Sequence, residues 1–191
     1  SENYALTIKK IKVHKLVLQE IIMVGIPTGL QQVIVSLSNA IVQSSINGFG
    51  SAAVAGCSAY LKLDGFMILP ILSFGMASTT FTGQNLGARQ YNRMRKGLIT
   101  ALGMTSIYTI SVSILMYLYG GEALKIFSQE EAVLHYGRLM LNSLIPSYIL
   151  LAIMQSLVGT IRGAGKTMVT MIISILSLCV IRVLWIMLVL K

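Results

Sequence analysis

Charged side chains are scarce in this sequence. Asp, Glu, Lys and Arg make up 11% of its 191 residues, only 6 residues are acidic, and hydrophobic residues make up 55%. A soluble domain carries about 25% charged residues on average. This composition, together with a mean hydropathy of +0.78, excludes an ordinary soluble domain.

Groups that carry out catalysis or bind metals are also few. Cys57 and Cys179 lie in apolar stretches without a metal-like spacing, so both are interpreted as small hydrophobic residues. Residues 163–167 resemble the end of a phosphate-binding loop, but Thr160 stands where that pattern requires glycine. Because no nucleophile, base and carboxylate set converges either, the sequence predicts no enzyme, no catalytic residue, no metal site and no cofactor.

Long apolar stretches occupy most of the chain. A bilayer core is crossed by about 20 apolar residues in a helix, and in lipid such a segment must be helical to satisfy its backbone groups. We therefore predict an all-α, polytopic membrane helix bundle. The expected division is a cytoplasmic amphipathic linker over residues 1–24 and a helical lobe over residues 25–191, with spans near 27–47, 54–82, 98–119, 132–159 and 168–190.

The net charge of +9 is distributed by topology rather than over one surface. Basic residues precede the first span and fill the second and fourth connections, at Lys9, Lys10, Lys12, Lys15, Arg89, Arg93, Arg95, Lys96, Arg162 and Lys166. By the positive-inside rule these segments are cytoplasmic, and Lys191 is external. The prediction is a multi-pass protein of the plasma membrane whose segment begins in the cytoplasm, without a nucleic-acid partner.

Three prolines fall within or at the start of the predicted spans. Pro27 suits the first turn of a helix. Pro70 and Pro146 lie in the middle of their spans, where each removes a backbone hydrogen bond and is expected to bend the helix.

Two sets of polar residues recur at helical spacing. On the last span, Thr167, Thr170, Ser174 and Ser177 predict a close packing face. On the first span, a polar stripe runs the depth of the membrane on one helical face. It can line a wet cavity or bond to another helix, and the number of its members favours the cavity. The members of this polar stripe are Gln32, Ser36, Asn39, Gln43 and Asn47.

The second span contains two charged residues, Lys62 and Asp64. Charges at such depth are costly and usually face a bundle interior or water. Residues two apart on a helix point in nearly opposite directions, so each is expected to have a different partner. Lys62 can instead extend to the outer interface, whereas Asp64 is too short to reach it and is predicted to face the interior.

Several short segments, in this order, resemble the multidrug and toxic compound extrusion family. They are Gly-Ile-Pro-Thr-Gly-Leu-Gln-Gln at 25–32, Ile-Asn-Gly-Phe-Gly at 46–50, Ala-Val-Ala-Gly at 53–56, Phe-Thr-Gly-Gln-Asn-Leu-Gly-Ala-Arg at 81–89 and Arg-Gly-Ala-Gly at 162–165. The resemblance is greatest to the carboxy-terminal of the family's two six-helix lobes. It implies that this chain holds about five of the six helices and that an amino-terminal lobe of the same protein is its partner.

The resemblance also implies a function. Members of that family are secondary antiporters that export bulky, often cationic organic compounds, and protons or sodium ions enter in exchange as the coupling ion. Their central cavity opens alternately to each side. The polar stripe, Lys62 and Asp64 would then line the cavity and contact a small organic substrate.

This sequence departs from the family in one respect. Sodium-coupled members tend to have acidic residues on the first and fourth helices of this lobe, where this chain has Ser36, Asn39 and Asn142. A coupling carboxylate is therefore either Asp64 or a residue of the other lobe. Two alternatives stay open: a lipid-linked oligosaccharide flippase of the same superfamily, and a membrane assembly subunit whose polar stripe is a packing seam.

Overall fold

The computed structural model describes residues 14–176, and this part of the chain is helical without a strand. The predicted all-α bundle is confirmed. Its helices are α1 (Lys15–Asn47), α2 (Ser51–Gly87), α3 (Tyr91–Lys125), α4 (Glu131–Leu144), α5 (Tyr148–Gly163) and α6 (Thr167–Ser174), and a 3-10 turn (Ile145–Ser147) joins α4 to α5. Most of the predicted fifth span lies outside the described residues.

Four of the described segments are long and apolar enough to cross a membrane. They are Lys15–Asn47, Ser51–Gly87, Tyr91–Lys125 and Glu131–Gly163. Many large hydrophobic side chains on these helices are exposed on the outside of the bundle, among them Met76 (71%) and Ile107 (70%). A helix surrounded by lipid has apolar groups on its outer surface. The chain is therefore an integral membrane protein.

The helices extend beyond the apolar stretches at both ends, because polar residues continue a helix into the interfacial region. The largest difference is in α1, which begins at Lys15 and continues through residue 24, the predicted end of the linker. The remaining part of the predicted linker, residues 1–13, lies outside the described residues. The prediction that Pro27 occupies a first turn is wrong, since Pro27 lies inside α1.

Hydroxyl groups from neighbouring helices compensate for two of the prolines. Proline lacks the N–H that would bond the carbonyl four residues earlier. For Pro27 that carbonyl belongs to Met23, and Thr167 Oγ1 of α6 donates to it at 3.3 Å. For Pro70 it belongs to Phe66, and Tyr108 Oη of α3 donates to it at 2.6 Å. Both helices continue through their prolines because the freed carbonyls are satisfied from outside.

Helix α2 is at the centre of the bundle and packs against α3, α4 and α5. Its closest approach is to α5, where a Cβ atom on Gly159 would lie 2.2 Å from the carbonyl oxygen of Gly75, and one on Gly163 would lie 2.3 Å from that of Thr79. Thr79 Oγ1 also donates to the Gly159 carbonyl at 3.0 Å. Glycines spaced four apart permit this close helix packing in a membrane.

Helix α1 lies at the side of the bundle and packs mainly against α6, with a smaller contact to α2. The small polar side chains of α6 face inward, since Thr167, Thr170 and Ser174 are all buried. They confirm the packing face predicted for this span, whereas Ser177 lies outside the described residues. Gly165, with φ of +78°, makes the tight turn between α5 and α6, and the helix before it excludes a phosphate-binding loop, which requires a strand there.

Candidate functional site

A carboxylate hydrogen-bonded to two tyrosines lies in the interior of the described bundle. Asp64 is half-buried on α2, and Tyr60 and Tyr148 are buried beside it. Tyr60 Oη donates to Asp64 Oδ1 at 3.0 Å. Tyr148 Oη donates to the same carboxylate oxygen and is also hydrogen-bonded to Tyr60 Oη. We call these three residues the Asp64 triad.

The local sequence explains how the triad is assembled. Tyr60 and Asp64 are four residues apart, which places both side chains on one face of α2. Tyr148 is the first residue of α5, directly after the 3-10 turn that contains Pro146. That turn interrupts the fourth span as the sequence predicted, and it sets the position at which Tyr148 meets α2.

Apolar side chains surround the triad. Leu63 and Met67 of α2, Met116 of α3, Leu141 of α4 and Ile145 line the small space next to it, so the two tyrosine hydroxyls are the only titratable groups that face Asp64 among these lining residues. The space measures about 10 Å³. A cavity of that size holds about one water molecule. The triad can therefore hold a proton or a water, and an organic substrate does not fit there.

Lys62 points away from the triad, as predicted. Its side chain is exposed, and Nζ lies 5.1 Å from the centre of the Phe127 ring in the connection between α3 and α4. A cation above an aromatic ring is attracted by the ring's negative face. Lys62 and Asp64 thus have different partners, and Lys62 belongs to the surface of the bundle beside the connection between α3 and α4.

The polar stripe lies on an open face of α1. Gln32, Ser36, Asn39 and Asn47 are exposed, and Gln43 is half-buried. Within the stripe, Gln43 Nε2 donates to Asn47 Oδ1 at 3.3 Å. The described helices therefore leave most of this stripe accessible, and a further part of the whole protein, lipid or water must cover it.

The other two faces of α1 indicate which side of the helix meets lipid. The packed face consists of buried or half-buried residues, Pro27, Gln31, Ser38 and Val42, and the apolar face consists of exposed ones, Ile26, Leu30, Val33, Leu37 and Ile41. At 3.6 residues per turn, the centres of the packed, polar and apolar faces lie roughly 120° apart. Lipid suits the apolar face, so the polar face is directed away from the main lipid contact.

Sequence reasoning identified Asp64 but missed its two tyrosines. The spacing of Tyr60 and Asp64 was visible in the sequence, because residues four apart share a helix face. Tyr148 had no such signal, since it is 84 residues from Asp64 and reaches it only through the packing of α2 against α5. The structure does not place the polar stripe in the triad, whose hydrogen bonds are made between α2 and α5.

A metal centre is not found in the part of the chain that the structure describes. No group of three His, Cys, Asp or Glu side chains lies close enough there to hold a metal ion. Cys57 is buried and free, which agrees with its interpretation as a small hydrophobic residue.

Comparisons with known proteins identify relatives over most of the chain. It is 26% identical over 168 residues to the probable multidrug resistance protein YoeA of Bacillus subtilis, covering 88% of this chain and 36% of that protein. It is 24% identical over 168 residues to the probable multidrug resistance protein NorM of Thermotoga maritima, covering 86% and 35%. The chain thus spans about a third of the length of these curated relatives.

The fold is shared with a solved transporter. The outward-facing structure of a multidrug resistance MATE family transporter of the MOP superfamily superposes with a TM-score of 0.81 at 21% identity, over 92% of this chain and 40% of that one. The family model described as MatE matches residues 27–188, which is most of the sequence. The chain belongs to the MatE family, whose members are transporters and not enzymes.

Proposed function

We propose that this chain forms part of a secondary antiporter that exports organic, often cationic compounds by alternating access in exchange for protons. The observation that carries the proposal is the Asp64 triad, a carboxylate inside a membrane span with two hydroxyl partners. Ionisable residues at such depth in transporters commonly belong to proton pathways. Relatives that match the chain are called multidrug resistance proteins, which supports the export of organic compounds.

The hydrogen bonds of the triad support a proton as the coupling ion. Three oxygen atoms, Tyr60 Oη, Tyr148 Oη and Asp64 Oδ1, are in contact in all three pairs. An ionised carboxylate only accepts hydrogen bonds, whereas a protonated one also carries an O–H donor. In the protonated triad Asp64 would donate to one tyrosine, and the hydroxyl of that tyrosine could then donate to the other. When Asp64 is ionised, both hydroxyls point to it and the contact between the two tyrosines loses its hydrogen.

The difference in hydrogen bonding between protonated and ionised Asp64 would give the proton a structural effect. Tyr148 begins α5 at the 3-10 turn around Pro146, so a change in its hydrogen bonds acts where the fourth span is least regular. Loss of the proton would loosen Tyr148 from Tyr60, and binding of the proton would restore the ring of three bonds. We propose that this exchange biases the lobe between its two orientations.

The polar face of α1 is proposed as the wall that meets the substrate. It is exposed in this lobe, it faces away from the apolar side of α1, and its carboxamides can accept and donate hydrogen bonds. Since the chain spans about a third of its relatives, the opposite wall would come from the missing amino-terminal lobe. Lys62 would lie at the outer rim, because its side chain contacts Phe127.

The test is export by the full-length protein that contains this chain, reconstituted in proteoliposomes with a fluorescent organic cation. Under an imposed pH gradient, Asp64→Asn should lower export strongly, within the roughly 5- to 150-fold range of coupling between two sites. Glu122→Gln is the matched control, because Glu122 is exposed on α3 and pairs with Lys125 at 2.7 Å.

Three results would contradict the proposal. Undiminished pH-driven export by Asp64→Asn would remove Asp64 from the coupling step. Export that responds to a sodium gradient and not to a pH gradient would replace the proton with sodium. Loss of export by Glu122→Gln to the same degree would show that any lost carboxylate impairs the protein.

A further inference from the structure

A larger cavity lies at the opposite end of the bundle from the α1–α2 turn. It has a volume of about 400 Å³, lies between α2, α3 and the end of α5, and is partly open to the outside of the bundle. Cavities that bind small molecules measure about 300–1,000 Å³. Apart from two cations and a few hydroxyls the lining is mostly apolar, and the residues on which its shape and charge depend are Phe74, Phe81, Arg93, Lys96, Ala101 and Met104.

The two cations lie at one end of this cavity. Arg93 and Lys96 are exposed on the first turns of α3, next to the α2–α3 connection. The guanidinium of Arg93 lies 6.0 Å from the centre of the Phe81 ring. The sequence has no acidic residue between Asp64 and Glu122, so no carboxylate from this stretch neutralises them. The mouth of the cavity therefore attracts anions.

The length of the cavity corresponds to one leaflet. Its lining on α3 runs from Arg93 to Met104, which is about 16 Å at 1.5 Å per residue. One leaflet is half of a bilayer core of about 30 Å, which is a similar length. The cavity thus has a positive mouth near the interface and an apolar floor within the adjacent leaflet.

We propose that this cavity binds an anionic phospholipid of the adjacent leaflet. The phosphate would lie between Arg93 and Lys96, and an acyl chain would occupy the apolar part between Phe74 and Met104. Basic pockets between membrane helices bind anionic lipid headgroups in this way. The occupied cavity would fix α3 against α2 and α5, which makes the lipid a structural ligand of the lobe.

The experiment is native mass spectrometry of the full-length protein in detergent, with dioleoyl phosphatidylglycerol and dioleoyl phosphatidylcholine as probes. The two lipids have the same acyl chains and differ in headgroup charge. Phosphatidylglycerol should bind more tightly, and Arg93→Gln and Lys96→Gln should each weaken it about fivefold. The control is Arg95→Gln, which removes the same charge from the same helix but does not line the cavity.

The acyl chain is tested separately from the headgroup. Ala101→Phe fills the apolar part and should weaken the binding of phosphatidylglycerol although both cations remain, while soluble glycerol 3-phosphate should not compete. Equal affinity for the two lipids, an equal loss in Arg95→Gln, or displacement by glycerol 3-phosphate would overturn the proposal. Unfolding temperatures of the variants in detergent without added lipid establish that each one is folded.

Discussion

Hydroxyl groups make several of the interhelical polar contacts in the described part of this bundle. Tyr108 bonds the carbonyl freed by Pro70, Thr167 bonds the carbonyl freed by Pro27, and Tyr148 bonds Asp64. In hydrocarbon no water is available to satisfy such groups. A single hydroxyl can therefore satisfy an irregular backbone position within a span.

The contact between Tyr108 and the carbonyl of Phe66 gives a prediction for single residues. Tyr108→Phe should lower the free energy of unfolding by about 1 kcal/mol, because it leaves that carbonyl without a donor. Pro70→Ala restores the N–H within α2, so in a Pro70→Ala background Tyr108→Phe should have little effect.

Thermal unfolding in detergent measures this double-mutant cycle. Tyr117→Phe is the control, since Tyr117 is exposed on the same helix and should change stability little. An equal loss from Tyr108→Phe with and without Pro70 would show that the hydroxyl does not compensate for the proline.

At the scale of helices, the approach of α5 to α2 organises the lobe. It depends on glycines at two successive turns of α5, Gly159 and Gly163, which contact the backbone of α2 at Gly75 and Thr79. The same contact brings Tyr148, at the other end of α5, to Asp64. Small residues on α5 thus determine the geometry of the Asp64 triad.

Gly159→Ala tests this interface. Its Cβ would lie 2.2 Å from the carbonyl oxygen of Gly75, so the helices must separate, and we expect a loss of stability of about 1–3 kcal/mol. Gly103→Ala is the matched control, because a Cβ there meets nothing within 4 Å and alanine favours a helix by roughly 0.5–1 kcal/mol. Unfolding in detergent compares the two, and equal stability of both variants would contradict the close approach.

At the scale of the whole molecule, the described helices leave the polar face of α1 uncovered. The polar stripe is accessible in a chain that spans about a third of its relatives. Residues outside the described part of the chain, the rest of the protein or water can cover this stripe. A stripe that lines a cavity and a stripe that packs against another helix should respond differently when its residues are made apolar.

Asn39→Leu combined with Gln43→Leu distinguishes a cavity wall from a packing seam. If the stripe is a cavity wall, the variant of the full-length protein should stay folded but lose export of the organic cation, because the substrate then meets leucine instead of carboxamides. If the stripe is a packing seam, the variant should fail to assemble, which size-exclusion chromatography detects as aggregation or dissociation. Ser44→Leu is the control, since Ser44 is exposed near the apolar face of α1 and should retain both properties.

Much of the fold was predictable from the sequence, for reasons that particular residues illustrate. Apolar stretches predicted the spans, and Thr167, Thr170 and Ser174 predicted a packing face by their spacing. Pro27 was misplaced because the sequence does not show that Thr167 satisfies the Met23 carbonyl. The basic residues Arg93 and Lys96 were interpreted only as indicators of topology, and the cavity behind them depends on how α3 packs against α2 and α5.

The sequence by itself determined that this protein is an all-α membrane bundle with a polar stripe on its first helix and a carboxylate within its second. These properties follow from periodicity and from the free energy of placing groups in lipid, which act along a single helix. Only the tertiary structure decided which groups meet Asp64, which hydroxyls compensate for the prolines and where the cavity lies. Those contacts join residues that are distant in the chain, and they depend on the close packing of α2 against α3 and α5.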